Sequence, residues 1–259
     1  STLWSRTTAT GGELIAMAGE KGQRPSRCSF PSLGCPQQQG GLEVLAALKL
    51  KERALPLAEE AVELLYASGP APAVLDVVLS GPLMAILLHE TIGHLLEERR
   101  ASALLPSLSS PLLSLTMDCR LPGGLGRRPF DDEGRLTEPF QVIRQGKPAL
   151  PPGGAPLSRR AQDFSALPIP RQTNLNILPG TSSSREMLAS IESGLLLDGY
   201  RSLSLSQDRG TFVLGCERGW EIVRGQRGKP VHSPLIFGKT EDFWQSCAAL
   251  ASPTRPPAR

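Results

Sequence analysis

Aromatic residues are scarce in this sequence. Phe, Trp and Tyr together make up 5% of the 259 residues. Proteins that bind single-stranded nucleic acid stack the bases on aromatic rings, and a strongly basic surface supplies most of their affinity. The formal net charge is only +3, so neither feature is present. We therefore expect no direct nucleic-acid partner.

Long apolar runs are missing as well. The longest one, residues 83–88, is far shorter than the roughly 20 residues that a helix needs to cross a bilayer. Cysteine is limited to five residues, an odd number, and the sequence does not begin with a signal peptide. These features favour a reducing compartment over a disulfide framework. The sequence thus predicts a cytoplasmic protein without a membrane partner.

Histidine is rarer still, with three residues in the chain, and two of them lie close together. His89 and His94 fall in the segment LMAILLHETIGHLLEERR, which reads as a helix, and Glu90 lies between them. In zinc peptidases two neutral imidazoles hold the ion, and an adjacent glutamate accepts a proton from water. We therefore assign His89 and His94 as candidate zinc ligands and Glu90 as the candidate general base.

The spacing of the two histidines differs from that of the H-E-x-x-H motif, which places them at i and i+4 on one helical face. His94 falls at i+5 from His89, and five steps of a regular α-helix leave the two rings roughly 140° apart. One π turn would bring the rings together, and such turns concentrate at functional sites. We expect the distortion at Gly93, since glycine tolerates unusual backbone angles. In a regular helix the two histidines would be ordinary residues of an apolar segment.

Four blocks of the sequence, in order, resemble the TldD/PmbA family, also called modulators of DNA gyrase. They are VVLSGPLMAILLHETIGHLLEERR with its H-E-x-x-x-H, FDDEG at 130–134, LPIPRQTN at 167–174, which resembles P-x-P-R-x-[ST]-N, and LPG at 178–180. The resemblance implies a zinc metallopeptidase with peptide substrates. It also implies a homo-oligomer or a hetero-oligomer with a TldD/PmbA homologue.

The third zinc ligand is where the sequence departs from this family. Active members complete the site with a cysteine in a Gly-rich segment near the C-terminus, whereas this chain ends TEDFWQSCAALASPTRPPAR. Cys247 does not match the family position, and it is a candidate replacement together with Glu97 and His232. We expect a member of the family that is shortened at both ends.

Five further polar residues are candidates for binding substrate or for orienting a ligand. Glu97 lies three residues after His94 and can face it on a helix, or it belongs to a solvated charged end. Asp131 and Asp132 either lie beside the site, to bind a peptide amine or orient a histidine, or make a turn with Gly134. The remaining two candidates, which either clamp a substrate carboxylate or backbone or tie loops together, are Arg171 and Asn174.

The predicted fold class is α+β, with the H-E-x-x-x-H helix packed on a mostly antiparallel, barrel-like β-sheet. We divide the chain into a partial N-terminal region (1–72), a TldD-like metallopeptidase domain (73–250) and a disordered tail (251–259). The predicted helices lie at 42–68, in two pieces with the second opened by Pro56, and at 181–197. Residues 26–41 read as loop. The predicted strands lie at 73–80, near 112–118, in a hairpin over 136–147, and at 200–206, 211–216 and 220–224.

Two functions follow from these observations. The first is a zinc metallopeptidase that hydrolyses peptide bonds in unfolded or extended peptides, and the complete H-E-x-x-x-H favours it. The second is a catalytically inactive homologue that acts as a partner or peptide-binding subunit, and the missing cysteine segment favours it.

Overall fold

The computed structural model describes residues 2–31, 37–97, 110–151 and 154–253. Residues 98–100, most of the predicted tail and Cys35 lie outside these ranges. The helical elements are α1 (Leu42–Leu48), α2 (Leu50–Leu65), α3 (Gly81–Leu88), a π turn (His89–Gly93), α4 (His94–Glu97), α5 (Ser184–Ala189) and α6 (Thr240–Gln245). Among the described helices, none combines the length and apolarity that a bilayer crossing requires.

The strands are short, with two exceptions in the second half of the chain. They are β1 (Ala9–Gly11), β2 (Leu14–Ala18), β3 (Ser26–Phe30), β4 (Gln37–Gln39), β5 (Asp76–Leu79), β6 (Leu115–Met117), β7 (Phe140–Arg144), β8 (Lys147–Pro148), β9 (Ser158–Arg160), β10 (Ile169–Arg171), β11 (Leu175–Ile177), β12 (Ser193–Leu205), β13 (Thr211–Val223), β14 (Gln226–His232) and β15 (Leu235–Lys239).

The two long strands, β12 and β13, form the centre of a five-stranded sheet. They pair antiparallel, and β5 joins the other edge of β12 in the parallel direction. The two halves of β13 pair with different partners, β15 in the first half and β14 in the second. The α+β class with mostly antiparallel pairing is confirmed. The barrel-like part of the prediction is wrong, since the described sheets stay open.

One hydrophobic core joins the histidine-bearing helix to both large sheets. A strand, β5, leads directly into α3, and Pro82 lies in the first turn of the helix, a position that suits proline. Each fully buried aliphatic side chain contributes roughly 1.5–3 kcal/mol to folding, so this core fixes the rotation of the helix. The core members include Leu83, Leu87, Ile92 and Leu96 of the helix, Leu197 and Leu214 of the five-stranded sheet, Leu115 and Ile143 of the sheet β11-β6-β7-β8, and Trp244 of α6.

The N-terminal part has a small core of its own, built by α2 on the β2-β3 hairpin. Buried charges tie it to β13. The guanidinium of Arg218 lies 2.5 Å from Asp198 and 3.4 Å from Glu60. The neighbouring carboxylate of Glu217 accepts hydrogen bonds from both the backbone N–H and the hydroxyl of Ser29. Burial raises the pKa of Glu217, even though these hydrogen bonds act in the opposite direction.

Several local predictions are confirmed. Strands occur at Asp76–Leu79 and Leu115–Met117, and the hairpin of β7 and β8 turns at Gln145 and Gly146, which both have positive φ. The predicted position of the break between the two helical pieces of 42–68 is wrong. It falls at Lys49, which has the left-handed conformation, while Pro56 lies inside α2. Residues 51–56 are exposed, so water can satisfy the carbonyl that Pro56 leaves without a donor.

Two other predictions are wrong because strand pairing decides the structure. Residues 26–30 form β3 rather than loop, since they pair with β2. The helix predicted over 181–197 begins with a capping box formed by Ser183 and Glu186, but it ends already at Ala189. From Ser193 the chain instead joins β13 and β5, and the predicted short strands at 200–206, 211–216 and 220–224 are parts of two long ones.

Candidate metal centre

The structure has the predicted π turn at His89–Gly93. The backbone N–H of His94 donates to the carbonyl of His89, which is the i→i+5 bond that defines such a turn. This bond places His94 one turn above His89, and the two rings meet edge to face with 4.8 Å between their centroids. The potential ligating atoms of His89, Glu90 and His94 all lie within 4.8 Å of one another.

Side-chain hydrogen bonds, one of them from outside the helix, satisfy backbone carbonyls at the π turn. In an α-helix His94 N–H would donate to the carbonyl of Glu90, and here that carbonyl accepts from Arg209 Nη1 at 2.6 Å instead. Thr91 Oγ1 donates to the carbonyl of Leu87 and accepts from Trp244 Nε1 at 3.1 Å. Because buried carbonyls need donors, these bonds stabilise the turn.

Gly93 matters for its missing side chain. Its φ is not positive, so the expected reason, unusual backbone angles, is wrong. A Cβ at this position would lie 2.2 Å from Gln172 Oε1 and 2.9 Å from its Cδ. The carboxamide of Gln172 therefore rests directly on the π turn, and its Nε2 lies 3.5 Å from His89 Nε2. Gln172 is 5% exposed, and its Oε1 accepts no hydrogen bond from the described residues.

Glu97 lies on the helix and faces His94. Its Oε2 is 2.9 Å from His94 Nδ1, and its Oε1 accepts from the backbone N–H of Gln172 at 2.9 Å. Arg171 Nη1 lies 3.6 Å from the same carboxylate. A carboxylate at Nδ1 places the ring proton there, which leaves the lone pair of Nε2 available on the opposite side of the ring. Glu97 is thus positioned to orient His94.

Glu90 lies between the two histidines on the open side of the helix. Its carboxylate oxygens are 3.9 Å from His89 Nε2 and 3.7 Å from His94 Nε2. Side-chain exposure is 52% for His89 and 35% for Glu90, so water and an extended chain can reach both. Partial desolvation and the neighbouring His94 lower the pKa of His89. The neutral imidazole, which is the form that binds metal, is favoured.

This donor set fits a zinc ion. Two imidazole nitrogens and a carboxylate are ordinary zinc ligands, and their potential ligating atoms lie within 4.8 Å of one another. Within the part of the chain that the structure describes, this is the one group of three His, Cys, Asp or Glu residues whose ligating atoms come together.

The candidate replacements for the third ligand lie apart from this group, with the exception of Glu97. The thiol of Cys247 faces the carbonyl of Ala249 at 3.8 Å, just after α6, and burial raises its pKa. A raised pKa disfavours the thiolate that would bind metal. His232 Nε2 lies 3.3 Å from the carbonyl of Pro25, on the N-terminal side of the molecule.

Asp131 and Asp132 shape the loop that contains Gly134. Asp131 is 5% exposed, and its carboxylate accepts from the backbone N–H groups of Glu133, Arg135 and Arg159. Burial opposes its ionisation, but these hydrogen bonds prevail and lower its pKa. Asp132 accepts from the backbone N–H of residue 161. This geometry corresponds to the turn alternative, and neither carboxylate is among the ligating atoms near the histidines.

Asn174 and Arg171 occupy different places relative to the histidines. Asn174 ties two loops together, since its Oδ1 accepts from Gly126 N–H and its Nδ2 donates to the carbonyl of Asp118, both at 2.8 Å. Arg171 is 38% exposed and lies beside Glu97, at the border of the histidine group. Of the two, Arg171 is therefore placed to meet a ligand.

Sequence reasoning did not single out Gln172 or Arg209. Gln172 fills the variable position of the P-x-P-R-x-[ST]-N block, so the pattern itself gives no signal for it. Arg209 lies in the turn between β12 and β13 and has a φ of 57°. It reaches the helix only through the tertiary fold, 119 residues from Glu90.

Comparison with known proteins agrees with the geometry. Residues 72–148 and 153–259 match the family model described as PmbA/TldA metallopeptidase C-terminal domain. The chain is 27% identical over 200 residues to the metalloprotease TldD homolog of Haemophilus influenzae, covering 70% of this chain and 42% of that protein. It is 25% identical over 232 residues to a metalloprotease of Methanothermobacter thermautotrophicus, covering 83% and 51%. The chain spans about half the length of these curated relatives.

Solved structures show the same fold. A Thermotoga maritima protein assigned as a modulator of DNA gyrase aligns with a TM-score of 0.69 at 20% identity, over 93% of this chain and 57% of that one. TldE from Thermococcus kodakarensis aligns with a TM-score of 0.65 at 18% identity, over 94% and 57%. The family match extends over more than half of the sequence. The chain therefore belongs to the PmbA/TldD metallopeptidase family, as the four sequence blocks predicted.

Proposed function

We propose that the chain is a zinc metallopeptidase that hydrolyses peptide bonds in unfolded or extended peptides. The observation that carries this proposal is the π turn, which gathers the ligating atoms of His89, Glu90 and His94 within 4.8 Å on a rigid helix. Relatives named metalloprotease support it. When bound, zinc supplies a Lewis acid that polarises a carbonyl and makes water more acidic.

Each residue of the group has a distinct role in this proposal. His89 and His94 hold the ion through Nε2, and Glu97 keeps His94 in the tautomer that leaves Nε2 free. Glu90 accepts the proton of the attacking water and returns it to the leaving amine. Arg209 holds the backbone of Glu90 at 2.6 Å, so that the carboxylate stays between the two rings.

An extended substrate is consistent with the exposed position of the group. Among the described strands, β15 pairs with β13 alone, which leaves its other edge open. Thr240 directly follows β15 and donates to the carbonyl of Arg209. The guanidinium of Arg209 in turn donates to the carbonyl of Glu90, so the end of this strand lies near the histidine-bearing helix. A peptide that adds to an open edge binds through its main chain, with little dependence on sequence.

The test combines zinc content with peptide cleavage. We expect about one zinc per chain after reconstitution, and its loss in His89→Ala. Glu90→Gln should retain zinc and lose roughly 10²–10⁴-fold in cleavage rate on an unfolded casein-type substrate. Glu138→Gln is the matched control, because Glu138 is exposed, pairs with Arg120 and is not among the ligating atoms near the histidines. An unmutated protein that binds no zinc would refute the proposal.

A second candidate is a catalytically inactive homologue that serves as a partner or peptide-binding subunit. The position of the Cys247 thiol, outside the group of ligating atoms, favours it. It predicts that mixing with a zinc-bearing homologue yields a stable complex by light scattering, while the chain alone cleaves nothing. Cleavage that depends on Glu90 would rule this candidate out.

A further inference from the structure

The hairpin formed by β9 and β10 carries two arginines on one face. Arg160 pairs with Ile169 across the hairpin, and Arg171 lies two residues further along β10. Since side chains alternate between the faces of a strand, Arg160 and Arg171 share a face. We propose that Arg171, assisted by the positive charge of Arg160, binds a carboxylate group of the peptide substrate. This proposal rests on the peptidase function proposed above.

Short contacts connect both arginines to the histidine group. Arg171 Nη1 lies 3.6 Å from Glu97 Oε2, and the same oxygen is 2.9 Å from His94 Nδ1. Arg160 Nη2 donates to the backbone carbonyl of Gln172 at 2.9 Å, and the side chain of Gln172 lies against the π turn. An extended peptide advances about 3.3 Å per residue. A substrate held at His94 therefore passes the guanidinium of Arg171 within a few residues.

Positive charge is in excess around Arg160. Arg128 forms an ion pair with Asp132 at 3.4 Å, and Arg171 forms one with Glu97 at 3.6 Å. Within the described part of the chain Arg160 forms no ion pair, and its Nε lacks a hydrogen-bond partner. Burial and the guanidinium groups of Arg128 and Arg171 lower the pKa of Arg160, although Glu97 and Asp132 act in the opposite direction. A partly buried charge without a counterion costs free energy, so an anion that binds here is stabilised.

Arg171 is the arginine of this pair that a ligand can reach. Its side chain is 38% exposed, and its ion-pair partner, the carboxylate of Glu97, lies too far away for a hydrogen bond. That carboxylate already accepts from the backbone N–H of Gln172 and lies on His94 Nδ1. The N–H groups of Arg171 are therefore available to a second carboxylate, which a guanidinium binds with two parallel hydrogen bonds.

A peptide offers a carboxylate from one of two sources. One is its own C-terminus, and recognition of this group would direct cleavage to the end of the peptide. The other is the side chain of Asp or Glu, and recognition of this group would select cleavage sites within the peptide. Both sources present the same planar group to Arg171, so the experiment has to distinguish them.

The test measures the binding of peptides that stay intact. Peptides of one extended sequence, labelled with an uncharged fluorophore, are titrated with zinc-loaded Glu90→Gln protein, and anisotropy gives Kd. The first comparison is a free C-terminal acid against the C-terminal amide. The second places a single Asp, or Asn in its place, at each position of the amidated peptide in turn. We expect about 10–100-fold tighter binding of the peptide with the carboxylate in one of the two comparisons, which identifies the source.

Variants assign this preference to the arginines. Arg171→Gln should abolish it, and Arg171→Lys should keep part of it, since lysine retains the charge but not the planar fork. Arg160→Gln should weaken it. Arg144→Gln is the matched control and should keep the full preference, because Arg144 is an exposed arginine that donates to Gln141 within β7. Each preference is a ratio of two peptides on one protein, so a general change at the zinc site affects both values alike.

The inference would be overturned if neither comparison showed a preference, or if the preference persisted in Arg171→Gln. Cleavage by the unmutated protein separates this inference from the peptidase function. Cleavage without any preference would support the peptidase and overturn the carboxylate site. A preference that depends on Arg171, with every peptide left intact by the unmutated protein, would support the carboxylate site and refute the peptidase.

Discussion

Substitution of Gly93 by alanine tests whether the π turn requires the close contact with Gln172. The added Cβ would lie 2.2 Å from Gln172 Oε1, about 1 Å inside van der Waals contact, so the amide must move. Overpacking of this kind costs about 1–3 kcal/mol, while alanine gains about 1 kcal/mol over glycine in a helix. We expect a net loss of up to about 2 kcal/mol, which lowers Tm by up to roughly 8 °C.

A double-mutant cycle separates the contact from other effects of the substitution. In a Gln172→Ala background the clash is absent, and Gly93→Ala should be neutral or stabilising by up to about 1 kcal/mol. The coupling energy from urea unfolding should therefore be about 1–3 kcal/mol. Gly81→Ala is the matched control, because a Cβ at Gly81, the first residue of α3, meets nothing within 4 Å.

The reasoning would be refuted in either of two ways. A coupling energy near zero, with Gly93→Ala neutral or stabilising in both backgrounds, would show that the amide moves away at no cost. Equal destabilisation in both backgrounds would show that the turn requires glycine for its backbone, although its φ is not positive.

Three other substitutions probe the surroundings of the helix and the N-terminal attachment. Glu97→Gln should weaken zinc binding by about 10–100-fold in a chelator competition, since the carboxylate orients His94; unchanged affinity would contradict this role. Arg209→Ala should lower the free energy of unfolding by about 1–3 kcal/mol in urea, because the carbonyl of Glu90 loses its donor, and Arg209→Lys should recover part of it. Glu217→Gln tests a raised pKa. A carboxyl group whose pKa is higher in the folded state than in the unfolded state binds more protons when the protein is folded. The stability of the protein therefore falls as the pH rises above 4.5, the ordinary pKa of the group. The Tm of the unmutated protein should fall relative to that of the variant as the pH rises above 4.5; a constant difference would contradict this.

The π turn was predictable because the sequence signal for it is local. The spacing of His89 and His94 on an apolar helix required a widened turn if both rings were to face one ion. The hairpin within 136–147 was predictable for the same reason, since its tight turn depends on neighbouring residues.

Other features depend on partners far away in sequence and were missed. Residues 187–195 have helical spacing of apolar residues, but β13 and β5 provide backbone partners from residue 193 onwards, and pairing prevails over local preference. The contacts that complete the histidine group come from Gln172 and Arg209, which lie 83 and 119 residues from their partners. No pattern within the helix indicates either of them.

The π turn also bears on how this helix tolerates a change in length. An extra residue in a regular α-helix rotates everything after it by about 100°, which would take the following apolar residues out of the core. Here the widened turn absorbs the residue, and Leu95 and Leu96 stay buried beyond it. A six-residue H-E-x-x-x-H motif can therefore occupy the helical face of a five-residue motif. The extra position, filled by Gly93, gives Gln172 of a neighbouring loop direct access to the backbone beside the histidines.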